Sequence, residues 1–127
     1  MKALSLLLLA AVFASCATTQ YLEKGTYDGI EVAYRWSHPP GKPSELLLRL
    51  KNTAETDRSI ALAIDLYYQG RTMETFEADT CLKPGMLLMG RLNGIRFIPE
   101  RLTTAQIQDG GTQVEVTRTE VTKAPCP

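Results

Sequence analysis

Histidine is nearly missing from this chain: there is one, His38, in 127 residues. A serine or cysteine nucleophile needs a base beside it. His38 lies in a loop next to Pro39-Pro40, and the adjacent Ser37 carries no nucleophile-elbow motif. His38 therefore reads as a solvated loop residue, not a base. Glycine-rich phosphate loops and the His-Glu-x-x-His pattern are missing too. Zinc asks for three or four ligands, which one histidine and a few cysteines do not supply. Met73, Met86 and Met89 could join His38 around copper(I), but methionine more commonly fills core gaps. These gaps predict no enzyme, no cofactor and no metal. Net charge is missing as well, with 14 basic residues against 14 acidic, so no nucleic-acid partner is expected. Nor is there an apolar run long enough to cross a membrane. The longest runs from Leu4 to Ala14, broken only by Ser5. As a helix it would measure about 16 Å, against about 30 Å of hydrocarbon.

What that run does have is context. Lys2 precedes it and small residues follow, the layout of a secretory signal peptide over residues 1–15. It ends in Phe13-Ala14-Ser15-Cys16, which resembles the lipobox of bacterial lipoproteins, with Phe13 where that family usually has leucine. The resemblance implies cleavage before Cys16 and attachment of lipid to its sulfur. Two or three acyl chains, at about 0.8 kcal/mol per buried methylene, hold a protein at a membrane almost permanently. The alternative is an ordinary signal peptide cut near Ala17, leaving a soluble secreted protein. Ala17 is not the aspartate that marks inner-membrane retention in enterobacterial lipoproteins. The resemblance therefore implies a bacterial cell envelope protein at the outer membrane, facing the periplasm. Residues 16–29 are polar, contain Gly25 and Gly29, and read as a tether.

From residue 30 the hydrophobic period becomes two, and residues 30–127 read as one domain. Ile30, Val32, Tyr34 and Trp36 share a face; so do Leu46, Leu48 and Leu50, and then Ile60, Leu62, Ile64, Leu66 and Tyr68. Gln69-Gly70 and Asn93-Gly94 read as hairpin turns, and Lys83-Pro84-Gly85 as a break. Val114 and Val116 alternate out of phase with Val121, so a bulge between them is expected. "ERLTTAQIQ" is the only helical candidate, and its threonines weaken it. The pattern predicts an all-β protein, an antiparallel immunoglobulin-like sandwich of about seven strands. "LLLRLKNTAETDRSIALAIDLYYQGRTMETFEA" is similar to the central hairpin of immunoglobulin-like domains on bacterial lipoproteins, including the FxLYD type. Tyr67-Tyr68 stands at that motif's aromatic pair.

With Cys16 assigned to lipid, Cys81 and Cys126 remain as an even pair in an oxidising compartment, and a disulfide between them is expected. Arg91, Arg96 and Arg101 read as a solvated strand edge or, less simply, an anion site. Trp36 and Tyr68 point to the core by phase, which leaves Tyr67, with His38, as the candidate binding residues. The expected function is a membrane-anchored, non-enzymatic binding module whose partners are membrane lipid, through Cys16, and an envelope protein or polysaccharide. An inhibitor of a protease or cell-wall hydrolase, presenting the proline-stiffened "HPPGKP" loop, and a structural spacer are the alternatives.

Overall fold

The computed structural model describes residues 20–127. The expected signal peptide over residues 1–15 and the expected lipid attachment at Cys16 lie outside the described residues. The protein is all-β, with eight strands in two antiparallel sheets facing each other across one core. The first sheet is built from β1 (Leu22–Tyr27), β2 (Ile30–Ser37), β3 (Glu45–Asn52) and β6 (Leu87–Met89), in that order, and the two-residue β7 (Arg96–Phe97) also pairs with β3. The second runs β5 (Arg71–Leu82), β4 (Arg58–Tyr68), β8 (Thr112–Thr122). The two-layer architecture is that of immunoglobulin-like sandwiches. Its strand order is its own, with β1, β2 and β3 following one another as a meander.

Period-two alternation builds the core. Leu46, Leu48 and Leu50 of β3 face Ile60, Leu62, Ile64 and Leu66 of β4, and all are buried. Each such side chain contributes roughly 1.5–3 kcal/mol by leaving water. Between β4 and β5, Gln69 and Gly70 both take left-handed backbone (φ 52° and 77°), the turn that matches the twist of a two-residue hairpin. The expected bulge falls at Thr117. Ala63 pairs with Arg118 and Ile64 with Val116, so the extra residue brings Val121 back to the core side.

Three expectations need correction. Residues 22–27 are not tether but strand β1, hydrogen-bonded along β2. It is an edge strand in which half of the residues are exposed and none is buried, so it carries no apolar alternation. The signal for it was Asp28-Gly29, whose positive φ values form the turn into β2. Asn93-Gly94 does not make a hairpin. Gly90–Asn93 forms a 3-10 helical turn capped by left-handed Gly94. The Asn93 side chain accepts the Met89 N–H at 2.7 Å. The flanking β6 and β7 are short, and each bonds to β3 instead of to the other. The third correction concerns a threonine. Thr103 weakens the helical reading by propensity, yet it caps α1 (Thr104–Gln108): its side chain accepts the Gln106 N–H, and the Gln106 side chain accepts the Thr103 N–H.

Candidate functional site

The residues singled out in the sequence fall at separate places. Cys81, in β5, and Cys126 are at disulfide distance, with Cα atoms 5.6 Å apart. The Cys126 N–H also donates to the Asp57 carboxylate at 2.8 Å. These contacts hold the C-terminal segment against the turn between β3 and β4.

His38 is exposed, and its Nδ1 lies 2.7 Å from the Ser44 hydroxyl. A histidine beside a serine invites a catalytic reading. Ser44 is only 1% exposed, however, and its backbone N–H donates to Thr104. A hydroxyl closed off from solvent cannot reach a substrate, so the pair acts as a clasp at the base of the "HPPGKP" loop.

Tyr67 is half-buried and donates to Asp65 Oδ2 at 3.3 Å, while Thr75 donates to Asp65 Oδ1 at 2.8 Å. It borders an open depression of about 540 Å³ at the β4–β5 hairpin, together with Tyr68, Asp109 and Gln113. His38 does not line this depression. The Tyr68 hydroxyl donates to Asp109 Oδ2 at 3.0 Å. That hydrogen bond, then burial, then the charge of Asp109 raise the Tyr68 pKa above 10.0. The fold thus favours the neutral phenol. The stabilisation is complete below the unfolded value and is lost as pH rises through the raised folded one. Asp109→Asn is expected to bring the Tyr68 midpoint back towards 10.0, read as the difference in phenolate absorbance between the two proteins, with Tyr68→Phe as control. An unchanged midpoint would show that the bond does not form in solution.

The three arginines considered as an edge do not act together. Arg101 borders an open depression of about 560 Å³ beside Glu74 and Phe97. Glu74 is on the inward phase of β5, opposite Leu66; one carboxylate oxygen accepts the Glu100 N–H and the other is buried without a partner. Arg91 and Arg96 instead converge on Glu45, whose side chain is 9% exposed. Arg91 Nε donates to Glu45 Oε2 at 2.7 Å and Arg96 reaches Oε1 at 3.4 Å.

Glu45 belongs to a larger arrangement that sequence reasoning missed, the outer face of the first sheet. Register places Ala33 and Arg35 of β2 beside Leu47 and Arg49 of β3 on that face. Tyr21, just before β1, lays its ring across it, with the Arg35 and Arg49 guanidiniums 5.4 and 5.6 Å from the ring centroid. Arg49 also pairs with Glu23 at 3.0 Å. Under this cover Ala33 and Leu47 are buried although they point away from the core. Tyr21, Arg35, Arg91 and Leu92 rim an open hollow of about 290 Å³ with Leu47 at its floor. The residues come from β2, β3, the 3-10 turn and the segment before β1, so no local motif announces them; the one available signal was the placing of arginines on the outward phase of β2 and β3.

Among the described residues no group of three or more His, Cys, Asp or Glu side chains is arranged to hold a metal ion. No helix among them is long and apolar enough to cross a membrane. No protein-family model matches the chain, and no curated protein or solved structure matches it either.

Proposed function

We propose that the protein is a lipid-anchored lipoprotein of the bacterial cell envelope, acting as a non-enzymatic binding module at the outer membrane's periplasmic face. The observation that carries this reading is the succession of Lys2, the apolar run and Ala14-Ser15-Cys16. A disulfide-distance cysteine pair in a small β domain suits an oxidising compartment. The clasped histidine and the open depressions suit binding better than chemistry. The partner is an envelope protein or polysaccharide met through loops or sheet faces.

Protein made from the full gene in a bacterial host is expected to have the mass of residues 16–127 plus acyl groups and to fractionate with membranes. Cys16→Ala is expected to lose both properties. An unlipidated wild-type mass would overturn the anchor and move the search for partners to soluble secreted ones. The His38–Ser44 clasp favours one rival, a hydrolase inhibitor that presents a stiffened "HPPGKP" loop. Inhibition of a protease or lysozyme that His38→Ala abolishes would establish that rival.

A further inference from the structure

The outer face of the first sheet carries cationic side chains with two exposed leucines beside them, and it begins a few residues after Cys16 in the sequence. We propose that this face docks on anionic phospholipid headgroups, so that the domain lies with its first sheet against the membrane. The proposal rests on the anchor reading.

Reach is the first argument. Residues 16–29, taken as a tether, would let the domain move up to about 45 Å from its anchor. Strand β1 starts at Leu22, and Tyr21 is already held on the sheet by two guanidiniums. Only four peptide steps separate Cys16 from Gln20, a span of at most about 14 Å. Tyr21 stands on the rim of the hollow, so the hollow stays within short reach of the anchor.

Charge distribution is the second. The chain is neutral as a whole, but its two outer faces are not. On the first sheet Arg35, Arg49, Lys51 and Arg96 point outward, joined by Arg91 from the 3-10 turn. Their acidic neighbours there are Glu23, Glu31 and Glu45, and the Glu45 carboxylate is sunk beneath its two arginines. On the second sheet the outward register positions include Asp65, Glu77 and Asp79, with Glu120 on β8, against Arg118, while Glu115 of β8 is paired with Lys24 of β1 at 3.5 Å. A domain charged in this way orients in the field of an anionic surface, basic sheet inward and acidic sheet outward.

Apolar exposure is the third. Leu92 is 88% exposed at the tip of the 3-10 turn, and Leu87 is 45% exposed on the outward phase of β6. A lone exposed leucine means little. Here Leu92 shares its hollow with Arg35 and Arg91, Leu87 is opposite Lys51, and Tyr21 offers an amphipathic ring of the sort that sits at the headgroup level. Guanidiniums to meet phosphates and leucines to enter the acyl boundary are what an interfacial surface needs.

The test uses the acylated full chain in phosphatidylcholine vesicles with and without phosphatidylglycerol. A solvatochromic label is placed on L92C or, on the opposite sheet, on E77C. With phosphatidylglycerol present, the label on L92C is expected to shift to the blue and to be quenched by brominated acyl chains several-fold more than the label on E77C. Salt and the double substitution R35Q/R49Q are expected to remove that difference. Equal quenching at both positions, or no response to phosphatidylglycerol, overturns docking on headgroups and leaves the anchor intact; the face would then be free or covered by protein. A chain whose mass carries no acyl group removes the anchor, and the docking proposal with it.

Discussion

Asn52→Asp is expected to destabilise the fold by about 3–5 kcal/mol at neutral pH, as the removal of a buried donor and its replacement by a charge predict. Asn52 ends β3, is fully buried, and uses both of its amide hydrogens and its carbonyl oxygen. Nδ2 donates to the backbone carbonyls of Thr56 at 3.0 Å and Leu82 at 2.9 Å, and Oδ1 accepts the Ala54 N–H at 2.9 Å. The residue thereby shapes the turn between β3 and β4 and stitches the end of one sheet to β5 of the other. A carboxylate there has no hydrogen to give and faces two carbonyl oxygens out of water. Protonation restores one donor of the two. The pKa of the introduced carboxyl is therefore raised in the folded state above about 3.9, its unfolded value. The ionisation part of the penalty is absent below that value and complete once pH passes the raised folded one. Urea unfolding of both proteins across that range checks it: the gap in midpoint is expected to narrow as pH falls. A gap of constant size would show that the lost donor alone matters. Asn52→Ala lacks the charge but leaves two carbonyls and one N–H unpaired, and is expected to be destabilising at all pH values.

Removing the cross-link is the second large effect. Cys81 and Cys126 are 45 residues apart in sequence, and closing a loop of that size is worth about 4 kcal/mol in the chain-entropy description. Cys81→Ser with Cys126→Ser is expected to lower unfolding free energy by roughly that amount, read in urea without reductant. The loss falls unevenly. Strand β8 is paired along β4 for its whole length and keeps its ladder. Residues 123–127 have no strand partner and are held by the sulfur bridge and by the Asp57 contact with Cys126 N–H. Hydrogen exchange in the double variant is expected to rise first there and in the 53–57 turn. Loss of protection spread evenly over β4 and β8 would place the stabilisation in the core instead.

Much of the sandwich was legible because its central strands obey a strict period. In β4 the inward set Ile60, Leu62, Ile64 and Leu66 could belong to nothing but a half-buried strand, and the phase conflict between Val116 and Val121 gave away the bulge at Thr117. Edge elements were harder to read. Strand β1 has no buried apolar alternation because one of its sides has no neighbour, so it passed for a tether. Asn93-Gly94 has the chemistry of a hairpin, but the strands around it found a better partner in β3. The expected sites were legible only as residue types. His38 is spent on Ser44, Tyr67 on Asp65, and the three arginines divide between Glu45 and the depression beside Glu74.

By itself the sequence determined the all-β class and the inward faces of the central strands. Both follow from short-range rules: period-two hydrophobicity and turn chemistry. The tertiary structure alone decided that Tyr21 lies across Arg35 and Arg49, that Glu45 is buried beneath Arg91 and Arg96, and that the two outer faces carry opposite charge. Those arrangements join residues tens of positions apart through strand pairing, and a one-residue change of register would turn the strand residues among them, Arg35, Glu45, Arg49 and Arg96, to the other face.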